Sequence, residues 1–321
     1  MRLFSFLCRE CIIFKKERMS KMKMQLPIPN QLIYWHSLNK RAALTQKQKK
    51  YYENIKKGFA GEKIWYSWLN ELSQEVIILH DLTFIHNTSA IQIDFLCIFE
   101  KSMIAFEVKN YKGEVHVEGD RWKSGAGNEI NNPLLQYLRS KSLLSPFLKN
   151  LKVNLPLEYY IVFVNPEFFP YQLPYSKHVI LPQQLKRFWS HLNQMSSVLG
   201  GKHEEIKKLI LKQKEQYQSQ TVPCEWTDLK KGVSCPICDG LMIKRKRTVC
   251  CGQCDKSLSL DKAILYNIKE LELVFPKIKI STNLVYEWCG CEIDKRVVYR
   301  VLKNNFKHLG NNKNRYYVRE E

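Results

Sequence analysis

Residues 91–109, IQIDFLCIFEKSMIAFEVK, constrain the fold of this chain more than any other stretch. Two apolar runs flank a short polar break at residues 100–102, and this pattern predicts two β-strands joined in a hairpin. Asp94, Glu107 and Lys109 lie inside the apolar runs. Because charged side chains are costly to bury unless they are paired or bind a metal, these three residues predict a functional site on the hairpin.

The register of the hairpin brings the charges together. A loop of even length, such as Glu100-Lys101, places Asp94 opposite Glu107. Side chains alternate between the two faces of a strand, so Lys109 shares the face of Glu107. On the reverse face we expect Ile91, Ile93 and Phe95.

Two carboxylates and a lysine on one face have two interpretations. Two carboxylates suit Mg²⁺, which keeps several waters and needs few protein ligands. A lysine beside the ion orients the attacking water or stabilises the charge that builds on a phosphate. The alternative is a cross-strand ion pair at a sheet edge, in which Asp94 or Glu107 pairs with Lys109. Spacing alone does not separate the two.

Neighbouring motifs resemble those of the nuclease-related domain (NERD) family, within the PD-(D/E)xK nuclease superfamily. The resemblance covers roughly residues 55–165 and is strongest at residues 106–113, FEVKNYKG. The superfamily's leading proline is replaced here by Ile93. The other motifs follow in the family's order: KGFAGE at 57–62, LHDL at 79–82, QID at 92–94, DRW at 120–122 and NNPLLQ at 131–136.

The resemblance implies a fold, a cofactor and a set of site residues. The fold is a restriction-endonuclease-like αβββαβ core around a mixed sheet. Asp94 and Glu107 then bind Mg²⁺ or Mn²⁺, and Lys109 assists the water. Glu62, on the first helix, and Gln136, on the helix after the hairpin, complete the site.

Each supporting residue also has an ordinary interpretation. Glu62 alone is a solvent-facing charge in a first helical turn, and Gln136 alone bonds to the backbone. Gly58 and Gly61 let the first helix start close to the sheet. The histidines at 80, 86 and 116 are expected to be surface or hydrogen-bonded structural residues rather than metal ligands.

Length and charge describe a chain of two or three domains that favours polyanions. The chain has 321 residues, with 51 Lys and Arg against 31 Asp and Glu, which gives a net charge of +20. Such an excess binds nucleic acid or an anionic membrane surface through counterion release.

No apolar run is long enough to span a bilayer. The first fourteen residues resemble a signal peptide, but Arg9 and Glu10 interrupt them and no small-residue cleavage site follows. Met19, Met22 or Met24 is an alternative start, and we expect a cytoplasmic protein.

The cysteine pattern predicts a zinc ribbon. Eight of the eleven cysteines follow residue 220. Cys235 and Cys238 form one CxxC knuckle and Cys251 and Cys254 a second, which together provide four thiolates for tetrahedral Zn²⁺. Cys250 is an alternative ligand to Cys251. Cys224 is expected to be a spectator, and Cys289 and Cys291 free thiols. The spacing does not separate a ribbon that binds nucleic acid from a purely structural one.

The C-terminal pattern resembles a winged helix-turn-helix. A helix over 262–274 precedes one that starts at Ser281 or Thr282 and another that starts at Glu292 or Asp294, and two short strands follow at 306–309 and 314–318. In that geometry the last helix enters the DNA major groove. The residues expected to contact DNA are Lys295, Arg296, Tyr299, Arg300 and Lys303. The alternative is a small protein-interaction bundle with solubilising lysines.

Together these inferences predict an α/β metal-dependent nuclease that hydrolyses DNA and carries C-terminal DNA-binding modules. Cutting both strands of a duplex favours a homodimer. One alternative is a non-catalytic DNA-binding or regulatory protein that retains the nuclease fold, and another is a membrane-surface protein that uses its basic leader. Endonuclease or exonuclease action, and DNA or RNA as substrate, stay open. The predicted segments are a basic helical extension (1–54), the nuclease-like domain (55–182), a helical linker (183–231), the zinc ribbon (232–259) and the winged-helix-like domain (260–321).

Overall fold

A computed structural model describes residues 12–13, 26–86, 89–213, 224–310 and 315–319. Contacts divide these residues into two units. One unit, here called the sheet unit, contains residues 12–13, 26–27 and 55–213. The other, the cysteine unit, contains residues 28–54 together with the described part of 224–319. The basic leader predicted at residues 1–20 lies outside the described residues, except for residues 12–13.

Along the described part of the chain, runs of consecutive strands are separated by one to three helices. The helices are α1 Asn30–Arg41, α2 Gln46–Asn70, α3 Pro133–Asn150, α4 Leu185–Gln194, α5 Gly201–Lys212, α6 Leu260–Val274, α7 Thr282–Trp288 and α8 Lys295–Asn305. The strands of the sheet unit are β1 Ile12–Ile13, β2 Ile77–His86, β3 Ser89–Ile98, β4 Met103–Lys109, β5 Gly113–Glu118, β6 Arg121–Ser124, β7 Glu129–Ile130, β8 Leu157–Phe163, β9 Phe168–Tyr171 and β10 Val179–Ile180. Those of the cysteine unit are β11 Val233–Ser234, β12 Leu241–Arg245, β13 Thr248–Cys251, β14 Ser257–Ser259, β15 Lys307–Leu309 and β16 Tyr316–Val318.

The main sheet of the sheet unit is mixed, with the strand order β1-β2-β3-β4-β8-β10. Strands β2, β3 and β4 are successive antiparallel neighbours, and β8 and β10 join in parallel. Apart from β5, β6 and β7, which follow β4 and belong to a second sheet, the chain order α2-β2-β3-β4-α3-β8 is the predicted αβββαβ core, so this prediction is confirmed. A second, smaller sheet has the order β7-β6-β5-β9.

The predicted hairpin register is also confirmed. Strands β3 and β4 pair from Phe95 with Phe106 to Ile98 with Met103, and the Phe99 amide donates to the Ser102 carbonyl at 2.9 Å. One residue further along the same register lie Asp94 and Glu107. Strand β4 runs between β3 and β8, so its charged residues are in the middle of the sheet and not at an edge.

Helix α2 covers one face of this sheet. Its Trp65 and Tyr66 contact Phe106 and Phe95, with ring centroids 5.2 and 6.5 Å apart. A Cβ at Gly61 would lie 2.7 Å from the Asn110 Cβ, so glycine permits this close approach.

The basic, amphipathic pattern of residues 31–57 predicts one or two helices that end at Gly58, and this prediction is wrong, because α2 continues through Gly58 to Asn70. A glycine inside a helix costs only about 1 kcal/mol. The residues that follow it bury Trp65 and Leu69 in the core, which offsets that cost. Gly58 therefore does not mark the end of a helix.

Helix α3 covers the other face of the sheet. Phe147 stacks on Phe84 at 4.6 Å, and Tyr137 meets Tyr159 edge-on at 5.4 Å. Helices α4 and α5, which lie in the segment predicted as a linker, belong to the sheet unit and pack against its other elements. The Trp189 indole donates to the Trp68 carbonyl at 2.7 Å. In addition, α5 places Ile206 and Ile210 in the core.

The expected alternation of faces fails at one point in the sheet. Ile91 and Ile93 lie in the same core cluster as Leu96, whereas Phe95 packs against α2. The register of β2 with β3 places Asp81 opposite Asp94. At Asp81 the backbone has a φ of 51°, a left-handed conformation inside an otherwise extended strand. This kink explains why the faces do not alternate regularly across Asp94.

Replacing Asp81 tests whether the backbone conformation at this residue matters for stability. We expect Asp81→Ala to be less stable than Asp81→Asn by about 1 kcal/mol, because alanine tolerates the left-handed region poorly and asparagine tolerates it well. Both variants remove the same charge, so their difference does not contain the effect of the charge. Urea unfolding followed by tryptophan fluorescence measures it. Equal stability of the two variants would contradict the expectation.

The cysteine unit joins an N-terminal helix to the C-terminal part of the chain. Arg41, at the end of α1, donates to the Gly232 carbonyl and the Asn267 side chain at 2.9 Å and to Glu270 at 3.1 Å. Its guanidinium lies 3.9 Å from the centroid of the Trp288 ring. Arg41 and Glu270 are fully buried, so α1 is an integral part of this unit. Among the residues that the structure describes, no helix is long and apolar enough to cross a membrane.

Candidate active site and candidate zinc centre

Three of the predicted site residues form a closed hydrogen-bonded triangle at the end of β4. The Lys109 ammonium donates to Glu107 Oε1 at 2.7 Å and to Gln136 Oε1 at 2.8 Å. The Gln136 amide donates to the same Glu107 oxygen at 2.6 Å. Gln136 therefore bonds to side chains rather than to the backbone. The lysine pairs with a glutamate of its own strand, so the predicted cross-strand pair is not the arrangement found.

The start of α3 positions Gln136 beside the strand. The Asn132 side chain caps the helix by accepting from the Leu134 amide at 2.9 Å, and Pro133 occupies the first helical position. Both residues are typical of a helix start. The motif NNPLLQ thus fixes where α3 begins, and its first turn carries the glutamine to Lys109.

Asp94 is fixed next to this triangle by the backbone of β4. Its Oδ2 accepts from the Val108 amide at 2.7 Å. Burial raises the pKa of Asp94 well above its usual range, and the charges of Glu107 and Glu62 raise it further. Lys109 and the Val108 hydrogen bond oppose that shift. The three carboxylates therefore lie close enough to repel one another.

Glu62 reaches the same place from α2. Its Oε2 lies 2.7 Å from Nε2 of His80, which is fully buried on β2. Burial, followed by the charges of Asp81 and Glu107, raises the pKa of Glu62 to about 8. Glu62 is therefore a partly buried member of the site and not a solvent-facing charge. His80 was expected to be either a surface histidine or a hydrogen-bonded structural one, and the structure shows the second.

Lys109 keeps its proton in this environment. Burial alone lowers the pKa of Lys109, but the charges of Glu107 and Asp94 outweigh it and raise the pKa above the ordinary value. The buried Tyr159 hydroxyl lies 3.5 Å from Glu107 Oε2. Sequence reasoning missed Tyr159 and Asp81. Tyr159 reaches the site because β8 pairs with β4, which the sequence does not specify.

The side chains suit a hard divalent cation. Carboxylate oxygens are the ligands that Mg²⁺ prefers, and it is commonly held by one or two carboxylates, water and substrate phosphate. Burial, followed by repulsion from neighbouring carboxylates, raises the pKa values of Asp94 and Glu62, and a bound cation would offset the repulsion. Among the residues that the structure describes, the acidic side chains do not form a group of three within 4.8 Å of one another. The assignment of Asp94 and Glu107 as the two residues that would hold the ion stays a prediction.

The match with a known family covers this site. Residues 57–164 match the family model described as "Nuclease-related domain". The chain carries a nuclease-related domain. Neither a curated protein nor a solved structure matches this chain. The nuclease-related domain contains Glu62, Asp94, Glu107, Lys109 and Gln136, and the roles of these residues stay predictions.

Beyond the nuclease-related domain, the four predicted zinc ligands come together. The sulfur atoms of Cys235, Cys238, Cys251 and Cys254 all lie within 4.8 Å of one another. Two of the separations are 3.4 Å, between Cys238 and Cys251, and 3.6 Å, between Cys235 and Cys254. Tetrahedral zinc with Zn–S bonds of about 2.3 Å places sulfur atoms about 3.8 Å apart. The cluster is therefore of the right size for one zinc ion.

The structure distinguishes Cys250 from Cys251. Both lie on β13, where consecutive side chains point to opposite faces. The Cys250 thiol is directed to the Ser257 hydroxyl at 3.5 Å, away from the cluster. Burial would raise the pKa of the Cys251 thiol, but hydrogen bonds from the backbone amides of Gln253 and Cys254 lower it to about 7. Cys251 is thus the thiolate placed to bind metal.

Side chains of helix α1 contact the backbone of the first CxxC knuckle. The Lys40 ammonium donates to the Cys235 carbonyl, and His36 Nε2 lies 3.2 Å from the same oxygen. Nearby, the Tyr52 hydroxyl donates to Asp239 at 2.8 Å. Such outer contacts orient metal ligands and are part of a metal site.

The elements of the predicted winged helix-turn-helix are present, although the assignment itself stays a prediction. Ser281 caps α7 and Asp294 caps α8, each by accepting from a backbone amide. The buried side of α8 carries Val298, Val301 and Leu302. The five predicted DNA contacts are all exposed: Lys295, Arg296, Tyr299, Arg300 and Lys303. Arg300 donates to Asp261 at 2.6 Å, and Lys295 lies near the Tyr286 ring.

Proposed function

We propose that this chain is a metal-dependent nuclease that hydrolyses DNA phosphodiester bonds with Mg²⁺ or Mn²⁺. The observation that carries the proposal is the meeting of Asp94 and Glu107 on adjacent central strands, with Lys109 bonded to both Glu107 and Gln136. Clustered titratable groups with shifted pKa values are typical of functional sites.

In this proposal each residue has a distinct task. Asp94 and Glu107 hold the ion, with Glu62 beside them. When bound, the ion supplies Lewis acidity and lowers the pKa of water. Lys109 is protonated, so it donates to the attacking water or to a phosphate oxygen and does not act as a general base. Gln136 positions Lys109.

The cysteine unit provides the proposed targeting. Helix α8 would enter the major groove of DNA and the β15–β16 hairpin would contact the backbone. The exposed cations on α8 and the net charge of +20 support this arrangement. The four-cysteine cluster would bind structural zinc.

One observation favours a second function. A non-catalytic DNA-binding or regulatory protein that has lost the nuclease activity would also keep the Glu107–Lys109 pair, as a structural ion pair. Asp94 and Glu62 weigh against it. Two further carboxylates near Glu107 raise the electrostatic cost of folding, and a structural ion pair does not need them.

Substitutions on α8 test the targeting. We expect Arg296→Ala and Lys303→Ala each to weaken duplex binding and to reduce the magnitude of the negative slope of log K against log salt by about 0.9, as for one lost phosphate contact. Fluorescence anisotropy with a labelled duplex measures both quantities. Lys277→Ala, which removes an exposed cation outside α8, is the control. Equal effects of all three substitutions would refute a specific role for α8.

Metal dependence tests the catalytic proposal itself. Purified wild-type protein is incubated with plasmid and with single-stranded DNA in Mg²⁺, Mn²⁺ or EDTA. We expect cleavage in at least one metal and none in EDTA, with Glu107→Gln inactive under all conditions. If the wild type binds DNA but does not cut it in either metal, the second function replaces the first.

A further inference from the structure

The tip of the zinc-ribbon hairpin carries four consecutive cations. Strands β12 and β13 pair from Met242 with Cys251 to Arg245 with Thr248, so Lys246 and Arg247 form the two-residue turn. The side chains of Lys244, Arg245, Lys246 and Arg247, here called the basic tip, are all exposed.

The charges of the basic tip are not neutralised within the part of the chain that the structure describes. None of its four side chains makes an ion pair or hydrogen bond with another described residue, whereas several other exposed cations do. Arg300 binds Asp261 at 2.6 Å, and Lys123 binds Glu118 at 2.7 Å. A cluster of four unpaired cations raises the local potential and attracts anions.

The hairpin presents these charges on a fixed support. At its base, Met242 and Val249 are buried, and Cys251 belongs to the four-cysteine cluster. Leu241 and Ile243 are exposed on β12 next to the tip. The surface is thus basic at its end and aliphatic along one side, and no acidic residue lies between positions 240 and 254.

We propose that the basic tip binds the phosphates of nucleic acid, as a contact additional to α8. Lys244 and Arg245 end β12 and Lys246 and Arg247 form the turn, so the four residues extend over about 7 Å at the end of the hairpin. Duplex DNA carries one negative charge per about 1.7 Å of its axis, so several phosphates lie within that length. The inference deepens the proposed DNA-directed function by naming a second contact surface. It is tested by binding, so a failure of cleavage does not affect it.

The test compares two variants of the full chain that lose the same charge. In the tip variant, Lys244, Arg245, Lys246 and Arg247 are all changed to Gln. In the control, four exposed cations of α4 and α5 are changed to Gln: Lys186, Arg187, Lys208 and Lys212. Zinc content and thermal unfolding are measured on both, and a turn variant, Lys246→Gln with Arg247→Gln, which changes only the exposed two-residue turn, replaces the first variant if that misfolds.

Binding of a labelled duplex is followed by anisotropy over a range of KCl concentrations. The tip variant is expected to reduce the magnitude of the negative slope of log K against log salt by roughly 2 to 4, at about 0.9 per lost phosphate contact. The control is expected to change that magnitude by less than 1, and the turn variant to reduce it by roughly 1 to 2. Equal slopes for the tip variant and the control would overturn the proposal. So would loss of binding to anionic vesicles with DNA binding unchanged, which would make the tip a membrane contact.

Discussion

Replacing Lys109 with methionine is expected to lower the rate of DNA cleavage by roughly 10²- to 10³-fold, the usual effect of removing one donor that stabilises developing charge. Methionine is of similar length but donates no hydrogen bond. The lysine ammonium is the group that bonds to both Glu107 and Gln136, and neighbouring carboxylates keep it protonated. Single-turnover cleavage of a labelled duplex in Mg²⁺ measures the effect.

A matched substitution controls for loss of an ion pair. Lys123 binds Glu118 at 2.7 Å on the solvent-facing side of the second sheet, at the same distance as Lys109 from Glu107. Lys123→Met is therefore expected to leave the rate within about twofold, because an exposed pair contributes little. If Lys109→Met cut DNA as fast as Lys123→Met, Lys109 would have only a structural role.

Removing one cluster cysteine is expected to abolish zinc binding and unfold the ribbon. Structural zinc in small zinc-finger peptides contributes an apparent 10–16 kcal/mol, roughly. The ribbon strands are short, with two to five residues each, and bury few side chains of their own. Cys251→Ser should therefore reduce the zinc content from one ion per chain to none, and limited proteolysis should cut the ribbon.

The neighbouring cysteine supplies the control. Cys250 contacts Ser257 and lies outside the cluster, so Cys250→Ser should keep one zinc ion and resist proteolysis. Elemental analysis of both variants, purified in parallel, decides between the two thiols. Zinc retained by Cys251→Ser and lost by Cys250→Ser would mean that the ligand assignment is reversed.

The candidate site was predictable because its geometry follows from local rules. A two-residue loop fixes the register of β3 and β4, and the register places Asp94 by Glu107. The resemblance to the NERD family placed Gln136 on the helix after the hairpin, and the Asn132 cap and Pro133 show why that helix begins where it does. The alternation of side chains between the two faces predicted β3 less reliably. The left-handed backbone at Asp81 interrupts it, and the sequence around an aspartate does not indicate that conformation.

Long-range packing could not be predicted from the sequence. Lys40 and Arg41 are ordinary charged residues near the end of a basic helix, yet both are buried against Glu270, some 230 residues away. Neither hydrophobic periodicity nor motif spacing pairs residues so far apart. Gly58 was a misleading boundary for the same reason, since tertiary packing on the sheet carries α2 through it.

The most direct test of the proposed nuclease is plasmid cleavage by Asp94→Asn beside the wild type. Asparagine retains an oxygen that can accept from the Val108 amide, so the variant removes the charge with little change to the fold. Glu118→Gln removes an exposed carboxylate from the same domain as a control. We predict that the wild type and Glu118→Gln nick plasmid in Mg²⁺ or Mn²⁺ and that Asp94→Asn does not. Cleavage by all three proteins at equal rates would contradict the proposed site, and cleavage by none would contradict the proposed activity.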